Sequence, residues 1–375
     1  MLLACALLLA AAARADGGVL QIRSALFLPG ESATPPLAQT PGWQSRKLPD
    51  DWSFSQPGQG GVGWYRAGFE LAAVPDRLWA VYVPRLRMNA AVYVNGRFVG
   101  DGGRFDEPVA RNWNRPLYFL IPAELLQAGS NTLDLRVTGS ANVHAGLFGL
   151  EAGPDAELRP SYERRYFLKV TLNQALFVAT LLMAALMGML WLRRRQDSIY
   201  GWFALVSLLW AAHSTHFFVR DLPLTTWQWE WFAQASTDWF AVLLAVLVHR
   251  YYGLRRVRLE RLMLAYAAVS AAVLACFSLE HMFAVANTLH FGAVLIGAYV
   301  LLLAAHRAWL QPRSDEIVLA IGFGAQSALG LHDWLLQLGV WDQNHWYLMH
   351  YGSSGLFLVI AWLLSSRFVR SLGET

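Results

Sequence analysis

The chain runs to 375 residues, of which 55% are hydrophobic and only 15% charged, with a formal net charge of +4. That balance, with its positive mean hydropathy, lies well outside the range of a soluble globular chain. Nucleic-acid binding is a poor reading of the basic excess, because the arginines cluster beside apolar runs, where they report membrane topology. The apolar excess is uneven: residues 16–160 mix polar and apolar side chains at ordinary density, whereas residues 167–366 hold nearly all the long apolar runs. One stretch is written for water and the other for lipid.

Residues 1–15 form an apolar stretch ending in Ala13-Arg14-Ala15. The short length and the small-x-small end predict a signal peptide cleaved after Ala15; the charged leader of such segments is missing, so an uncleaved anchor stays open. Removal leaves Cys276, inside an apolar run, as the sole cysteine, so an exported domain at 16–158 must stand on its core without a disulfide. From Trp43 to Val137, short alternating segments are separated by turn signals, the pattern of an antiparallel all-β fold. Strands are predicted at Leu78–Val83, on both sides of Asn95-Gly96 within Ala91–Val99, at Pro116–Ile121 and at Thr132–Val137. Asn-Gly between two alternating runs is the strongest short hairpin signal, because both residues tolerate positive φ. In the last of these strands Leu133, Leu135 and Val137 point one way, Asp134 and Arg136 the other. A linker is expected at 159–166.

The same region carries Trp43, Leu48-Pro49-Asp50-Asp51-Trp52, Gly63-Trp64-Tyr65-Arg66 with Phe69 and Leu71, Val94-Asn95-Gly96 and Gly129-Ser130-Asn131-Thr132-Leu133, in that order. On these motifs it resembles the galactose-binding-like jelly roll at the front of family 2 glycoside hydrolases. The resemblance implies a jelly-roll sandwich without catalysis, since in those enzymes the paired carboxylates sit on a separate TIM barrel. Asp50, Asp51, Asp101 and Asp106 show no pairing of two carboxyls about a scissile bond. Binding of a small molecule or carbohydrate remains, with Trp113 or Trp64 stacking on a sugar face and Arg66 beside them. The competing reading puts Trp52, Trp64 and Tyr65 in the core, where such side chains are mostly found; Trp113, in the polar loop 110–114, is the more open candidate.

Seven apolar segments follow, at Phe167–Leu192, Ile199–Val219, Trp231–Val248, Met263–Leu279, Phe283–Ala305, Ile317–Leu338 and Leu348–Leu364, each near the roughly 20 residues that cross a hydrocarbon core. They predict an all-α seven-transmembrane bundle over 167–366. Arg193-Arg194-Arg195, the run Arg250, Arg255, Arg256, Arg258 and Arg261, the pair Arg307 and Arg313, and Arg367 with Arg370 all fall on one side, which the positive-inside rule makes cytoplasmic. The opposite loops hold an aromatic belt of Trp227, Trp229, Trp231, Trp341 and Trp346. Arg159, Arg164, Arg165 and Lys169 pull the other way, but an exported folded domain translocates largely regardless of charge. The expectation is a multi-pass protein of a bacterial inner membrane, its N-terminal domain periplasmic and residues 367–375 opening a cytoplasmic segment.

An exported jelly roll, seven spans and a cytoplasmic end make the chain resemble the bacterial seven-transmembrane receptors with diverse intracellular signalling modules. That resemblance implies a sensor of a periplasmic ligand whose last helix runs on into a histidine kinase, a diguanylate cyclase or another output module. No such module precedes Thr375, and the last helix runs without a Gly or Pro stop until Gly373. The chain is therefore expected to be a fragment of a longer receptor or to signal through a cytoplasmic partner, with no enzymatic activity of its own. Membrane lipid and a second copy of the chain, as a homodimer, are the other expected partners.

Ionisable residues inside spans are expensive and are candidate sites by default. Counted from the outer helix ends at ~1.5 Å per residue, Asn173, Gln174, His213, His216, Asp238, His290, His332, Asp333 and His350 fall in the outer half of the bundle. The inner halves are nearly all apolar, with His249 and His306 at the membrane edge. Three readings stay open. Imidazoles beside Asp238 or Asp333 suit a small-molecule or proton-sensing pocket. Several histidines with one or two aspartates suit zinc, which would make the chain an intramembrane metal-dependent hydrolase; against this, His345 and His350 stand five apart rather than at the four of one helical face. In the third reading the groups hydrogen-bond between helices and hold the bundle together, at about 0.6 kcal/mol a pair. His332 and Asp333 should point about 100° apart on a helix, and Gly292, Gly297, Gly322, Gly324 and Gly330 permit close helix contact.

Overall fold

The computed structural model describes residues 13–15, 18–140, 145–340 and 346–373. Most of the expected signal peptide, and Trp341 and His345, lie outside the described residues. The chain forms two compact units, Met1–Leu172 with Phe217–Thr226, and Asn173–His216 with Trp227–Thr375.

The first unit is a β-sandwich. Its elements in order are β1 (Ala13–Ala15), β2 (Leu20–Gln21), β3 (Ser24–Pro29), β4 (Gln44–Lys47), β5 (Asp50–Asp51), the four-residue α1 (Trp52–Ser55), β6 (Gly61–Leu71), β7 (Trp79–Val83), β8 (Asn89–Val94), β9 (Arg97–Asp101), β10 (Leu117–Ile121), β11 (Gly129–Gly139), β12 (Gly146–Leu147) and β13 (Glu151–Pro154). The larger sheet runs β4-β3-β6-β11-β8-β9 with β1 also on β6, the smaller runs β10-β7-β13-β2, and β12 pairs with β5. Its spine is the antiparallel pair β6 and β11, in register from Gly61 against Gly139 to Leu71 against Gly129. Strand alternation turns Tyr65, Phe69 and Leu71 into a core shared with Phe27, Trp79, Val81, Val92, Leu133, Leu135 and Val137. Trp64 and Arg66 are left on the outer face of the larger sheet.

The sequence motifs are joints of this sandwich. Asn95 and Gly96 close the β8–β9 hairpin at φ 50° and 78°, the left-handed pair that a type I′ turn requires. Asn95 Oδ1 then accepts from the Thr132 N–H at 2.8 Å and Nδ2 donates to the Leu125 carbonyl at 2.7 Å, tying the hairpin to the start of β11. In the Leu48–Trp52 motif the Trp52 indole N–H donates to the Tyr65 hydroxyl at 2.6 Å, which donates to Asp50 Oδ2 at 2.7 Å. Burial and the adjacent Asp50 push the Tyr65 phenol well up, so its hydroxyl stays protonated as the donor in this chain of bonds. Asp51 Oδ1 accepts from the Ser53 N–H at 2.9 Å and caps α1.

Helix α2 (Asp155–Tyr166) leaves β13 and packs on the outer face of the smaller sheet, where Leu158 and Tyr162 meet Ala80, Tyr82 and Tyr118. Tyr118 and Tyr162 stack at 4.8 Å. The segment 159–166, expected as a linker, is therefore helical and continues through a π turn, Phe167–Thr171, into α3 (Leu172–Arg193).

With α3, six further helices among the described residues make the seven of the bundle: α4 (Ser198–Ser214), α5 (Thr226–Tyr251), α6 (Val257–Ala275), α7 (Leu279–Leu310), α8 (Ser314–Gln337) and α9 (Met349–Gly373). Among the described residues four, those of α3, α5, α7 and α9, are long and apolar enough to cross a membrane by length and composition alone. Of the rest, α4 has only 17 residues, α6 holds Arg258, Glu260 and Arg261 in its first turns, and α8 carries Gln326, His332 and Asp333. Packing runs α6 against α7, α7 against α8, α8 against α9, and α9 back against α4. Trp210 meets Phe240 at 4.2 Å, and Phe357 meets Phe203 at 5.7 Å, inside one continuous apolar core. The fourth span begins at Val257 rather than the expected Met263, because the helix carries its arginines with it. Tyr266 lies where a side chain on Gly292 would stand, so that glycine sets the approach of α6 to α7.

Candidate functional site

On the sandwich, Trp64 is fully buried, its indole N–H donating to the Ser32 carbonyl at 3.2 Å and its ring 5.4 Å from Tyr93. Arg66 is also buried; its Nε meets Asp134 Oδ1 at 2.5 Å, its Nη2 donates to the Pro36 carbonyl at 2.6 Å, and Trp43 stacks over it at 4.8 Å. Burial pushes the Asp134 carboxyl up against the pull of Arg66. Both residues thus hold the 30–43 segment onto the larger sheet, and neither presents a face to solvent. Trp113 is half-buried, with Arg111 over its ring at 5.0 Å and Phe217 at 5.7 Å.

Trp113 marks a feature that sequence reasoning passed over. The segment 102–116 is braced by Asn89, whose Nδ2 donates to the Gly103 carbonyl at 2.7 Å, and by Asn112, whose Nδ2 donates to the Gly102 carbonyl at 3.0 Å. From this base it grips residues 217–226, the connection between α4 and α5. The Arg111 N–H donates to the Arg220 carbonyl at 2.9 Å, and Arg115 Nη2 to the Phe218 carbonyl at 3.0 Å. Asn114 Nδ2 donates to both the Lys169 carbonyl at 3.0 Å and the Phe217 carbonyl at 3.1 Å, joining the π turn to the same connection. A π turn leaves carbonyls short of partners, and Asn114 supplies one. Glu107 completes the grip: Oε1 accepts from the Thr226 N–H at 2.6 Å and Oε2 from its hydroxyl at 2.8 Å. Glu107 therefore caps the first turn of α5, where four backbone N–H groups lack helical partners. The signal available in the sequence was the density of Asn and Arg in 111–115, more than a solvent loop needs.

In the bundle, the predicted polar residues fall into three groups. Asp238 on α5 accepts from the Tyr266 hydroxyl at 2.9 Å, from the Ser270 hydroxyl, and meets His290 Nδ1 at 2.9 Å. His290 Nε2 meets Gln234 Oε1 at 3.0 Å, which Gln337 also reaches at 3.2 Å. Helices α5, α6, α7 and α8 are tied by this one network. His213 Nδ1 meets Ser236 Oγ at 2.8 Å, its ring stacked on Trp210 at 4.8 Å, and His216 Nδ1 meets the His213 carbonyl at 2.7 Å. His332 and Asp333 do not diverge: His332 Nδ1 meets Asp333 Oδ1 at 2.9 Å, and Asp333 accepts from the Leu348 and Met349 N–H groups at 2.9 and 2.8 Å. Asp333 on α8 is thereby the cap of α9. His350 is buried with its ring 3.9 Å from Tyr351. Among the described residues no three His, Cys, Asp or Glu side chains come together in a way that could hold a metal ion.

A fourth group lies at the opposite end of α5, where the sequence reading placed the arginine run that begins at Arg250, with His249 at the membrane edge. Arg250 and Glu260 form a two-pronged pair at 2.8 and 2.6 Å, the strongest geometry for such ions. His249, fully buried, meets Glu260 Oε1 at 2.9 Å and the Tyr299 hydroxyl at 2.6 Å. Around it Arg367 stacks on Tyr251 at 3.8 Å and Arg307 on Tyr252 at 5.3 Å, so arginines from the ends of separate helices share one end of the bundle. Glu260 is the lone acid in the run from Arg250 to Arg261, which was the overlooked signal.

Among solved structures the chain is similar to a glycosyl hydrolase family 2 member from Bacteroides cellulosilyticus, at 22% identity over 36% of this chain and 20% of that one, with a TM-score of 0.30. A family 2 beta-galacturonidase from Eisenbergiella tayi follows at 15% identity, 36% and 24% coverage and TM-score 0.26, and a Bacteroides uniformis beta-glucuronidase at 21%, 36% and 17%, and 0.28. The chain thus spans about a fifth of the length of these structures. No curated protein matches it. The model of the 7TM diverse intracellular signalling family matches residues 171–367, more than half of the chain, and with its seven helices the chain belongs to that family of membrane signalling proteins.

Proposed function

We propose that the chain is the sensory part of a bacterial inner-membrane receptor. The sandwich faces the periplasm and takes a small molecule or carbohydrate. The helices carry the resulting change to the arginine-rich end, on the cytoplasmic side by the positive-inside rule. From there it passes to an output such as a histidine kinase or diguanylate cyclase, in the same polypeptide or on a partner, with the receptor acting as a homodimer. The observation that carries this reading is the grip of 102–116 on 217–226, with Glu107 on Thr226. A binding event that displaces that segment acts on the first residue of α5. A ligand can shift the helices only by its difference in affinity for two arrangements, and the grip is the place where the sandwich distinguishes them.

The test joins the chain, after Thr375, to a diguanylate cyclase and follows cyclic di-GMP in cells given a panel of neutral oligosaccharides. The expected result is a response to at least one sugar, lost in Glu107→Ala, with a membrane-impermeant thiol reagent labelling Glu124→Cys and sparing Arg255→Cys in intact cells. Labelling of both positions from outside, or silence of the fused cyclase to the whole panel, refutes it.

A further inference from the structure

We infer that the outer face of the larger sheet, at Arg136, Asp101, Phe98 and Tyr93, is the sugar site, taking a neutral pyranose; the inference rests on the reading of the sandwich as a ligand sensor. The register places these residues side by side. Arg136 on β11 stands opposite Trp64 on one side and Ala91 on the other, and Ala91 stands opposite Asp101. Tyr93, two residues along β8 from Ala91, stands opposite Phe98. Phe98 and Asp101 are three apart, and in a regular strand they would face opposite sides. A bulge between the Val92 and Tyr93 pairings removes that conflict and aims both at the face of Arg136, the re-aiming that bulges perform beside functional sites.

The chemistry of the face is that of sugar recognition. Phe98 is 55% exposed, set edge-on to Tyr93 at 5.4 Å, so an aromatic surface lies open on an edge strand. Arg136 is held by Phe105, whose ring lies 4.6 Å from the guanidinium carbon. Among the described residues its Nε is shielded from solvent without a hydrogen-bond partner, which in a folded protein calls for an explanation. An arginine positioned by stacking and only partly buried can turn the outer end of its guanidinium to a ligand oxygen. Asp101 uses Oδ1 on the Gly103 N–H at 2.9 Å and is otherwise exposed. The occupant must therefore accept from Arg136, donate to Asp101 and lay an apolar face on Phe98. A pyranose meets all three demands, since its hydroxyls both donate and accept and its C–H face stacks on aromatic rings. The opposite charges of Arg136 and Asp101 favour a neutral sugar over a carboxylated one.

The same face adjoins the grip on α5. Asp101 bonds Gly103, Phe105 covers Arg136, and Glu107, two residues on, holds Thr226. A sugar that engages Arg136 and Asp101 acts on both ends of the 101–107 stretch.

The test is binding of an array of neutral and uronic-acid oligosaccharides to the full chain in nanodiscs, compared with Phe98→Ala, Arg136→Ala and Asp101→Asn. Phe98 is exposed and its loss leaves the core intact, so this variant reports on the site where another variant fails to fold. The expected result is retention of neutral glycans, weakened roughly tenfold or more by Arg136→Ala, as for loss of a charged hydrogen bond, and weakened by Phe98→Ala and Asp101→Asn. Glycan binding that survives Phe98→Ala and Arg136→Ala unchanged overturns this site and leaves the sensor reading standing. Preference for uronic-acid glycans overturns the neutral assignment, and no retention of any glycan overturns the sugar site altogether. A response of the fused cyclase to oligosaccharides decides the sensor reading separately.

Discussion

Replacing Glu107 by alanine should loosen the start of α5 without unfolding the sandwich. The carboxylate accepts two hydrogen bonds from one residue, the Thr226 N–H and hydroxyl, and the first turn of a helix has no internal partner for that N–H. Loss of a cap of this kind costs typically about 1 kcal/mol, and water replacing part of what is lost at the exposed Glu107 keeps the cost from rising above that. At about 1 kcal/mol the local opening equilibrium changes by roughly fivefold. Hydrogen exchange on the full chain in nanodiscs reads this directly: amides of residues 226–229 should exchange about fivefold faster in Glu107→Ala, while those of β6 and β11 keep their protection. Glu107→Gln, which retains one carbonyl acceptor, should fall between. Unchanged exchange at 226–229 would mean that Glu107 does not hold α5, and the coupling argument would fail with it.

The bundle network gives an ordering. Asp238→Ala removes three interhelical bonds and should lower stability by about 2 kcal/mol at about 0.6 kcal/mol each, more than Ser270→Ala, which removes one; thermal unfolding in nanodiscs measures both, and equal losses contradict a shared hub at Asp238. Glu260→Gln should speed amide exchange across 249–262 and leave 226–238 unaffected, since its bonds to Arg250 and His249 lie at the far end of α5. For Asp134 the folded carboxyl titrates above its ordinary value because of burial, so the folded state binds the proton more readily than the unfolded one. Its contribution to stability then rises as pH falls through the raised value toward the ordinary carboxylate range, and is flat above it. The difference in unfolding temperature between the parent and Asp134→Asn should shift toward the parent across that window; a shift toward Asn on acidification contradicts the sign.

The parts of the fold legible in the sequence were those fixed by local chemistry. Asn95-Gly96 specified its turn because few other residue pairs take positive φ in succession, and alternation in β11 specified which side chains faced the core. Burial within a face was less legible. Trp64 is buried, as the core reading of it has it, yet on the outer side of its sheet, where it and Arg66 owe their cover to the distant 30–43 segment and, for Trp64, to Tyr93. The polar residues of the bundle were visible as types, but their grouping was not, because which helices adjoin is settled by packing among surfaces that read alike. His332 and Asp333 show the limit of helical angles, since an imidazole is long enough to reach back to its neighbour. Glu107 and Glu260 were missed for a common reason: each sits in a polar stretch where a single acid looks like ordinary solvation, and each owes its role to a partner far away in sequence.

Three of the contacts that matter most converge on α5. Its first residue is held by Glu107, its middle presents Asp238 to α6 and α7, and its last turn presents His249 and Arg250 to Glu260 and Tyr299. From Thr226 to Arg250 the helix rises about 36 Å at 1.5 Å per residue, the scale of a bilayer. A helix cannot stretch along its axis without breaking its hydrogen-bond ladder, so a displacement imposed on Thr226 must be absorbed at Asp238 or passed to His249 and Arg250. In the middle, three bonds converge on the Asp238 carboxylate from Tyr266, Ser270 and His290, and a rotation of α5 that kept them would still move its far end. Rotation would draw Arg250 off the two-pronged geometry that Glu260 requires, and a paired arrangement of that kind breaks abruptly rather than bending. In the proposed receptor, the far end of α5 is the place where a small motion at Thr226 would become a choice between two states.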